Sequence, residues 1–308
     1  MDNAHIYDMA IVGGGPGGYA SALYGARAGL NTIVLEKLSA GGQMALTHQI
    51  DNYPGFPDGI GGFDLGQQMQ KQAEKFGAKT VYAEVTALEL NKTPKVIYSS
   101  EGIFYAKTLV LATGADPREL GLAGERALTG RGVAYCAACD GMFYKGKTVV
   151  VVGGGNSAAA DALLLSRVAQ KVIIVHRRDS LRATKVYHTP LMQAENVEFL
   201  WNTTVSKLLY ENKLTGIVVN DAQGNESTLS CDGLFISIGR KPVTELVQGQ
   251  LALDENGYIC ADETTKTSLD GVFAVGDVRQ KQLRQIVTAV ADGAMASHMA
   301  EQYLAENE

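Results

Sequence analysis

Residues 7–18 read Tyr7-Asp8-Met9-Ala10-Ile11-Val12-Gly13-Gly14-Gly15-Pro16-Gly17-Gly18. The first half is a short apolar run of the kind a parallel strand buries on both faces. The second half fits G-x-G-x-x-G, with Gly13, Gly15 and Gly18 at the three glycine positions. Tyr19 to Gly29 continues as a helix of small residues, and Thr32-Ile33-Val34-Leu35 makes the next strand, ending in Glu36. Glu36 follows Gly13 by 23 residues, close to the roughly 20 at which an acid meets a ribose hydroxyl. Strand, tight turn, helix, strand and acid in that order predict a βαβ dinucleotide site with the phosphates at the helix N-terminus.

The same pattern returns further on. Lys147 to Val152 reads as a strand, and Gly153-Gly154-Gly155-Asn156-Ser157-Ala158 fits G-x-G-x-x-A. A helix from about Ser157 to Arg167 and the strand Val172–Val175 follow. Each copy closes alike, on Leu109-Val110-Leu111-Ala112-Thr113-Gly114 and on Leu234-Phe235-Ile236-Ser237-Ile238-Gly239. Asp116-Pro117 follows the first closing and Lys241-Pro242 the second. The repeat predicts two similar dinucleotide domains. After the second closing, Gly271-Val272-Phe273-Ala274-Val275-Gly276-Asp277 and an Ala/Gly-rich helix from about 285 to 305 resume the first domain. The second domain is therefore read as inserted into the first, which spans 1–115 and 245–308, with the insert at 118–242. The fold class is α/β: two Rossmann-like, three-layer domains, one interrupting the other.

The copies differ where the nucleotide is chosen. His176 stands 23 residues after Gly153, at the place of Glu36, and Arg177, Arg178, Arg182 and Lys185 follow. A basic cluster in place of the acid removes repulsion from a ribose 2′-phosphate and supplies bidentate partners for it, which points to NADP over NAD. Asp277 either meets a ribityl hydroxyl or is satisfied within its own turn.

Composition narrows the class. A chain of 308 residues with 46% hydrophobic and 19% charged residues fits an ordinary globular protein of two domains. The formal charge of −6 and the lack of a basic stripe argue against nucleic acid and anionic membranes as partners. No apolar run approaches the roughly 20 residues of a membrane span. Met1-Asp2-Asn3-Ala4-His5 lacks the layout of a signal peptide, so a cytoplasmic location is expected.

Among four cysteines, two stand as Cys136-Ala137-Ala138-Cys139, followed by Asp140 and Gly141. Such a pair closes and reopens a disulfide, forms half a zinc site, or is structural. A second pair of ligands at zinc spacing is missing from the sequence. The adjacent acid could exchange a proton with a departing thiolate. Cys231 and Cys260 lie in strand-like contexts and read as small core residues.

Taken together, the chain resembles the low-molecular-weight thioredoxin reductases over nearly its whole length. The resemblance is carried by Gly13 to Gly18, Gly41-Gly42-Gln43, Asn52-Tyr53-Pro54-Gly55, Ala112-Thr113-Gly114, Cys136 and Cys139 with Asp140-Gly141, Gly153 to Ala158, His176-Arg177-Arg178 with Arg182, Gly276-Asp277 and Arg284-Gln285. It implies FAD in the discontinuous domain, at Gly13, Gly15, Gly18, Glu36, Gly42, Gln43, Asn52, Thr113, Gly114, Gly276, Asp277, Arg284 and Gln285. It implies NADPH in the insert, at Gly153, Gly155, Asn156, Ser157, Ala158, His176, Arg177, Arg178 and Arg182. No metal is implied. It further implies a homodimer built through the FAD domains and thioredoxin as the protein substrate. Cys139 would then lie nearer the flavin, Cys136 would attack the substrate disulfide, and Asp140 would donate or accept the proton.

Two positions depart from that pattern. Ala160 and Asp161 stand where the family usually carries an acidic pair, and Ile286 stands where it commonly has alanine. High-molecular-weight reductases are excluded, since no cysteine precedes Cys136 and Leu304-Ala305-Glu306-Asn307-Glu308 carries no redox-active tail. A flavin disulfide oxidase has no use for the arginines, and a ferredoxin-dependent relative has little. A ferredoxin–NADP reductase of this fold lacks the cysteine pair, and a peroxide-reducing flavoprotein carries a thioredoxin-like extension ahead of this one. A flavin-binding sensor without turnover is the reading from another class. Only 14 residues separate Cys139 from Gly153, so disulfide and nicotinamide sit in one domain yet must both reach one flavin. Rotation of the insert about the two crossovers is expected from this.

Overall fold

The apolar run opening the chain forms β1 (Ile6–Val12) in the computed structural model, which describes residues 5–47 and 49–307. Met1–Ala4, on which the leader reading rests, and Glu308 at the tail lie outside the described residues. After β1 come α1 (Pro16–Arg27), β2 (Thr32–Glu36), α2 (Gly62–Lys75) and β3 (Lys79–Tyr82). A meander of β4 (Val85–Glu89), β5 (Lys95–Ser99) and β6 (Gly102–Leu111) follows. Beyond β7 (Ala115–Pro117) the chain enters its second unit with β8 (Val133–Ala134), α3 (Ala137–Asp140), β9 (Thr148–Val152), α4 (Asn156–Leu165), β10 (Lys171–Val175), α5 (His188–Gln193) and β11 (Val197–Leu200). Three antiparallel strands come next, β12 (Thr204–Tyr210), β13 (Leu214–Asn220) and β14 (Glu226–Ser230), then β15 (Gly233–Ile236) and β16 (Arg240–Pro242). Finally β17 (Val272–Ala274) and α6 (Ile286–Asn307) return to the first unit.

Two compact units result, one of residues up to Asp116 together with those from Lys241, the other from Pro117 to Arg240. Lys241 and Pro242, expected in the insert, lie in the first unit. The reason is local bonding: the Val243 N–H donates to the Gly114 carbonyl at 3.0 Å, and the Thr244 hydroxyl donates to the Gly257 carbonyl at 3.0 Å. The crossover strands β7 and β16 pair with each other.

In the first unit the sheet runs β3-β2-β1-β6-β5-β4, with β17 also on β6. β1 pairs in parallel with β2 and β6, so that Val12 lies beside Leu35 and Leu111. β6 serves two neighbours on one side: its first half pairs antiparallel with β5, and its last three residues pair in parallel with β17. The meander and the closing apolar run are thus one ten-residue strand. α1 and α6 are rich in Gly and Ala because their backbones nearly touch. A Cβ on Gly293 would lie 2.3 Å from the Gly17 carbonyl oxygen, and the Ser297 hydroxyl donates to the Ser21 carbonyl at 2.7 Å.

The second unit repeats the order as β11-β10-β9-β15-β8, all parallel. In both sheets the glycine turn leaves the strand at which the strand order reverses, the place where open α/β sheets take ligands. The apolar faces of each sheet are covered on both sides, which accounts for the unbroken run Val149-Val150-Val151 at 0% exposure. Each such side chain contributes about 1.5–3 kcal/mol through burial.

Candidate active site

The redox segment follows β8 in the second unit. Cys136 is the N-cap of α3 in an extended conformation (φ −149°, ψ 103°). Its carbonyl accepts the Cys139 and Asp140 N–H groups at 3.2 and 3.0 Å, so the chain turns and returns the second sulfur to the first. The two are joined as a disulfide across a Cα–Cα distance of 5.3 Å, within the span such a bond accepts without backbone movement. Gly141 closes the segment against Leu164 and Leu165 of α4. Asp140 is largely removed from water, and burial pushes its carboxyl up to about 6. A carboxyl at that value exchanges protons near neutral pH, as a group serving a departing thiolate needs.

The second nucleotide turn begins 14 residues after Cys139, at Gly153. Gly155 caps α4, and beyond its α-carbon there is open space within 4 Å. Asn156 and Ser157 are exposed at the same end, while Ala158 is buried. The arginine segment is tied to the turn: the Gly154 carbonyl accepts the Arg182 and Ala183 N–H groups at 2.7 and 3.1 Å. The Asn156 side-chain carbonyl accepts the Thr184 N–H at 2.8 Å. Arg177, Arg178 and Arg182 are exposed. His176 lies buried over Gly154, whose Cβ would fall inside the imidazole ring. Burial, and then the charges of Arg182, Arg178 and Arg177, lower the His176 pKa and keep it neutral. Its Nε2 is buried without a hydrogen-bond partner. An orphaned nitrogen beside three arginines and an open helix N-terminus fits a phosphorylated nucleotide.

The first nucleotide turn has the same construction. Gly13 takes φ 104°, and a Cβ on Gly18 would lie 2.0 Å from the Gly13 carbonyl oxygen, so only glycine lets α1 approach β1 this closely. Gly15 caps α1 with open space beyond it, room that a pyrophosphate fits. Glu36 occupies the place that His176 holds in the other copy. Its carboxylate accepts the Gly14 N–H at 2.6 Å and the Leu38 N–H at 3.0 Å. Gly42 packs 3.5 Å from Gly15.

Residues far apart in the chain meet around that turn. Asn52 Nδ2 donates to Gln285 Oε1 at 3.1 Å across 233 positions. Gln43 donates to Asp116 at 2.7 Å. The Thr113 hydroxyl donates to the Val243 carbonyl at 2.6 Å, next to Gly114. Arg284 stacks over Tyr258 at 4.0 Å and donates to the Asp277 carbonyl at 3.4 Å.

The sequence reading missed what holds the Gly276 turn. Asp292 of α6 accepts the Gly276 N–H at 2.8 Å, both arms of Arg279 at 2.9 and 3.0 Å, and Lys281 at 2.7 Å. All three charged side chains are buried. Burial raises the Asp292 carboxyl, but the two cations and the Gly276 N–H outweigh it and hold it below the usual carboxylate value. The one available signal was an aspartate within an otherwise Ala/Gly-rich helix. Cys231 is buried and Cys260 half-buried, both as free thiols. Among the described residues no group of His, Cys, Asp and Glu is placed to hold a metal, and no helix is long and apolar enough to cross a membrane.

The pyridine nucleotide-disulphide oxidoreductase family matches residues 7–293. The chain is 45% identical over 303 residues to a thioredoxin reductase of Listeria innocua, covering 98% of this chain and 95% of that one. It is 42% identical over 308 residues to a thioredoxin reductase of Bacillus subtilis, at 99% and 97% coverage. A solved thioredoxin reductase from Streptococcus pyogenes superposes with a TM-score of 0.91 at 40% identity, covering 98% of this chain and 99% of that one.

Proposed function

The chain belongs to the pyridine nucleotide-disulphide oxidoreductase family, among its low-molecular-weight thioredoxin reductases, and from that premise we propose that it reduces the disulfide of thioredoxin at the expense of NADPH. The observation that carries the reading is a closed Cys136–Cys139 pair in the same unit as a nucleotide turn whose acid is replaced by His176 and three arginines.

We assign FAD to the first unit, with its pyrophosphate at Gly13, Gly15 and Gly18 and its ribose at Glu36. Gly42, Gln43, Asn52, Thr113, Gly114, Gly276, Asp277, Arg284 and Gln285 line the rest. NADPH binds the second unit at Gly153, Gly155, Asn156, Ser157 and Ala158. There Arg177, Arg178 and Arg182 engage the 2′-phosphate and neutral His176 offers its Nε2. When bound, FAD supplies the two-electron relay between NADPH and the disulfide.

The protein's own part is thiol–disulfide exchange. In the reduced pair the Cys136 thiolate attacks one sulfur of the thioredoxin disulfide, forming a mixed disulfide and releasing one thiolate. Cys139 then attacks the Cys136 sulfur, closing the internal bond and releasing the second. Asp140, titrating at about 6, supplies a proton to a departing thiolate. The inserted unit turns about the two crossovers between half-reactions, since the same unit carries both the disulfide and the nicotinamide. Two copies associate through their FAD-binding units, and the enzyme works in the cytoplasm.

The test is the purified protein supplied with FAD, NADPH and oxidised thioredoxin. Oxidation of NADPH that depends on thioredoxin, with NADH a poor donor, is the expected result. A protein that stays colourless with FAD, or that spends NADPH regardless of thioredoxin, overturns the proposal.

A further inference from the structure

Cys136 is held from both sides by carboxylates on other elements. Before it, the Tyr135 hydroxyl donates to Glu125 at 2.8 Å. Glu125 is buried and also accepts the Leu120, Gly121 and Leu122 N–H groups. After it, the Ala137 N–H bonds to the carboxylate of Asp161 on α4. Asp161 in turn accepts the Ser237 hydroxyl at 2.5 Å. Ser237 is itself fixed, its N–H donating to the Val152 carbonyl at 2.8 Å. Asp161 occupies one of the two positions where the sequence departs from an acidic pair, and its partners here are the redox segment and the end of β15.

We propose that Asp161 is a positioning residue of the redox pair, holding the first N–H after Cys136 and keeping a negative charge one peptide away from the attacking sulfur. The proposal rests on Cys136 being that sulfur. Two consequences follow from elementary electrostatics. The N–H that would otherwise stabilise a thiolate at the start of the turn is already taken. The carboxylate beside the thiol also disfavours a second negative charge there. The ionisable groups on the elements packed here are Asp140 and Tyr144 of the redox segment, Asp161 itself, and Arg240 beyond β15, whose positive charge partly offsets Asp161. Burial raises the Asp161 carboxyl against the opposing pull of Ser237, Ala137 and Arg240, as expected of a group held inside a packed junction.

The experiment is the rate of iodoacetamide alkylation of Cys136 between pH 6 and 10, read by peptide mass on full-length, FAD-loaded protein reduced with dithiothreitol. Asp161→Asn keeps an oxygen for the Ala137 N–H and removes the charge. Its profile shifts to lower pH, and alkylation on the acid side becomes faster by roughly ten-fold, one pKa unit. Asp161→Glu restores the charge and moves the profile back toward the parent. Arg240→Gln unmasks the carboxylate and shifts the profile the opposite way, which keeps the idea testable should the Asp161 variants fold poorly. Superimposable profiles for the parent and Asp161→Asn, a shift of Arg240→Gln to lower pH, or alkylation at Cys139 in place of Cys136 would overturn the proposal. Because dithiothreitol opens the disulfide, these readings stand apart from whether NADPH does so, which tests the function itself.

Discussion

Asp140→Asn separates the stability of the redox segment from its chemistry, because one buried carboxyl bears on both. Burial lifts this carboxyl from 3.8 to about 6, a rise of roughly 2 in pKa. At about 1.4 kcal/mol for each unit, the carboxyl destabilises the folded state by about 3 kcal/mol at pH 7. Its sign is set by linkage. Below pH 3.8 the group is neutral in both states and contributes no difference. Between 3.8 and about 6 the unfolded chain releases the proton while the folded chain keeps it, so stability falls as pH rises. Above about 6 the loss is complete. Asparagine has the same shape and does not titrate. The variant is therefore expected to match the parent near pH 3.5, gain steadily to pH 6, and remain about 1–3 kcal/mol more stable at pH 8, the lower figure allowing for burial of the amide. Urea unfolding of the oxidised, FAD-loaded proteins across that range gives the difference directly. Thioredoxin reduction by the same variant should fall by about 10²-fold for want of the proton, while reduction of the flavin by NADPH is unchanged. A stability difference that stays flat from pH 4 to pH 8 would mean that the carboxyl is not shielded from water, and the proton role would lose its physical basis.

Cys136→Ser should retain flavin reduction by NADPH and lose thioredoxin reduction, measured as bleaching of the flavin band against turnover; retained turnover would reassign the attacking sulfur. Neutral residues at Arg177, Arg178 and Arg182 should weaken NADPH far more than NADH, read as the ratio of kcat/KM for the two, with each lost phosphate contact contributing about 1.5–3 kcal/mol. Equal losses would show that these arginines do not read the 2′-phosphate. Asp292→Ala leaves Arg279 and Lys281 buried without their common partner, and should destabilise the first unit by about 3–5 kcal/mol and release FAD on gel filtration. Because the Asp292 carboxyl lies below its usual value, its contribution is present above pH 3.8 and is lost only as pH falls through that lowered value. A variant as stable as the parent at pH 7 would show that the cluster is not what secures the Gly276 turn.

Much of the fold is legible because it is locally encoded. The apolar runs before Gly13 and Gly153 become β1 and β9, and the residues after them open α1 and α4, with each boundary displaced by three residues or fewer. A strand buried on both faces and a helix of small residues each announce themselves within a dozen positions. The return crossover was read too late because its placement depends on Val243 bonding to Gly114 and Thr244 to Gly257, pairings between segments far apart in sequence. The one-strand nature of Gly102–Leu111 was hidden for a similar reason. A strand that changes neighbours halfway along shows the same alternation on both halves, and only its partners reveal the change.

By itself, the sequence determined the parts whose chemistry lies in contiguous residues: two phosphate turns, the exchange of Glu36 for His176 and its arginines, and a cysteine pair with an acid beside it. Those features need a particular backbone angle, a missing side chain or a fixed short spacing, and each is written where it acts. The tertiary structure alone decided which distant groups secure them. Asp292 receives Gly276, Arg279 and Lys281, Asn52 meets Gln285, and Asp161 turns to the Ala137 N–H and Ser237. A buried polar group takes whichever partner folding brings within reach, and that choice is made by the packing of whole elements, which no short stretch of residues records.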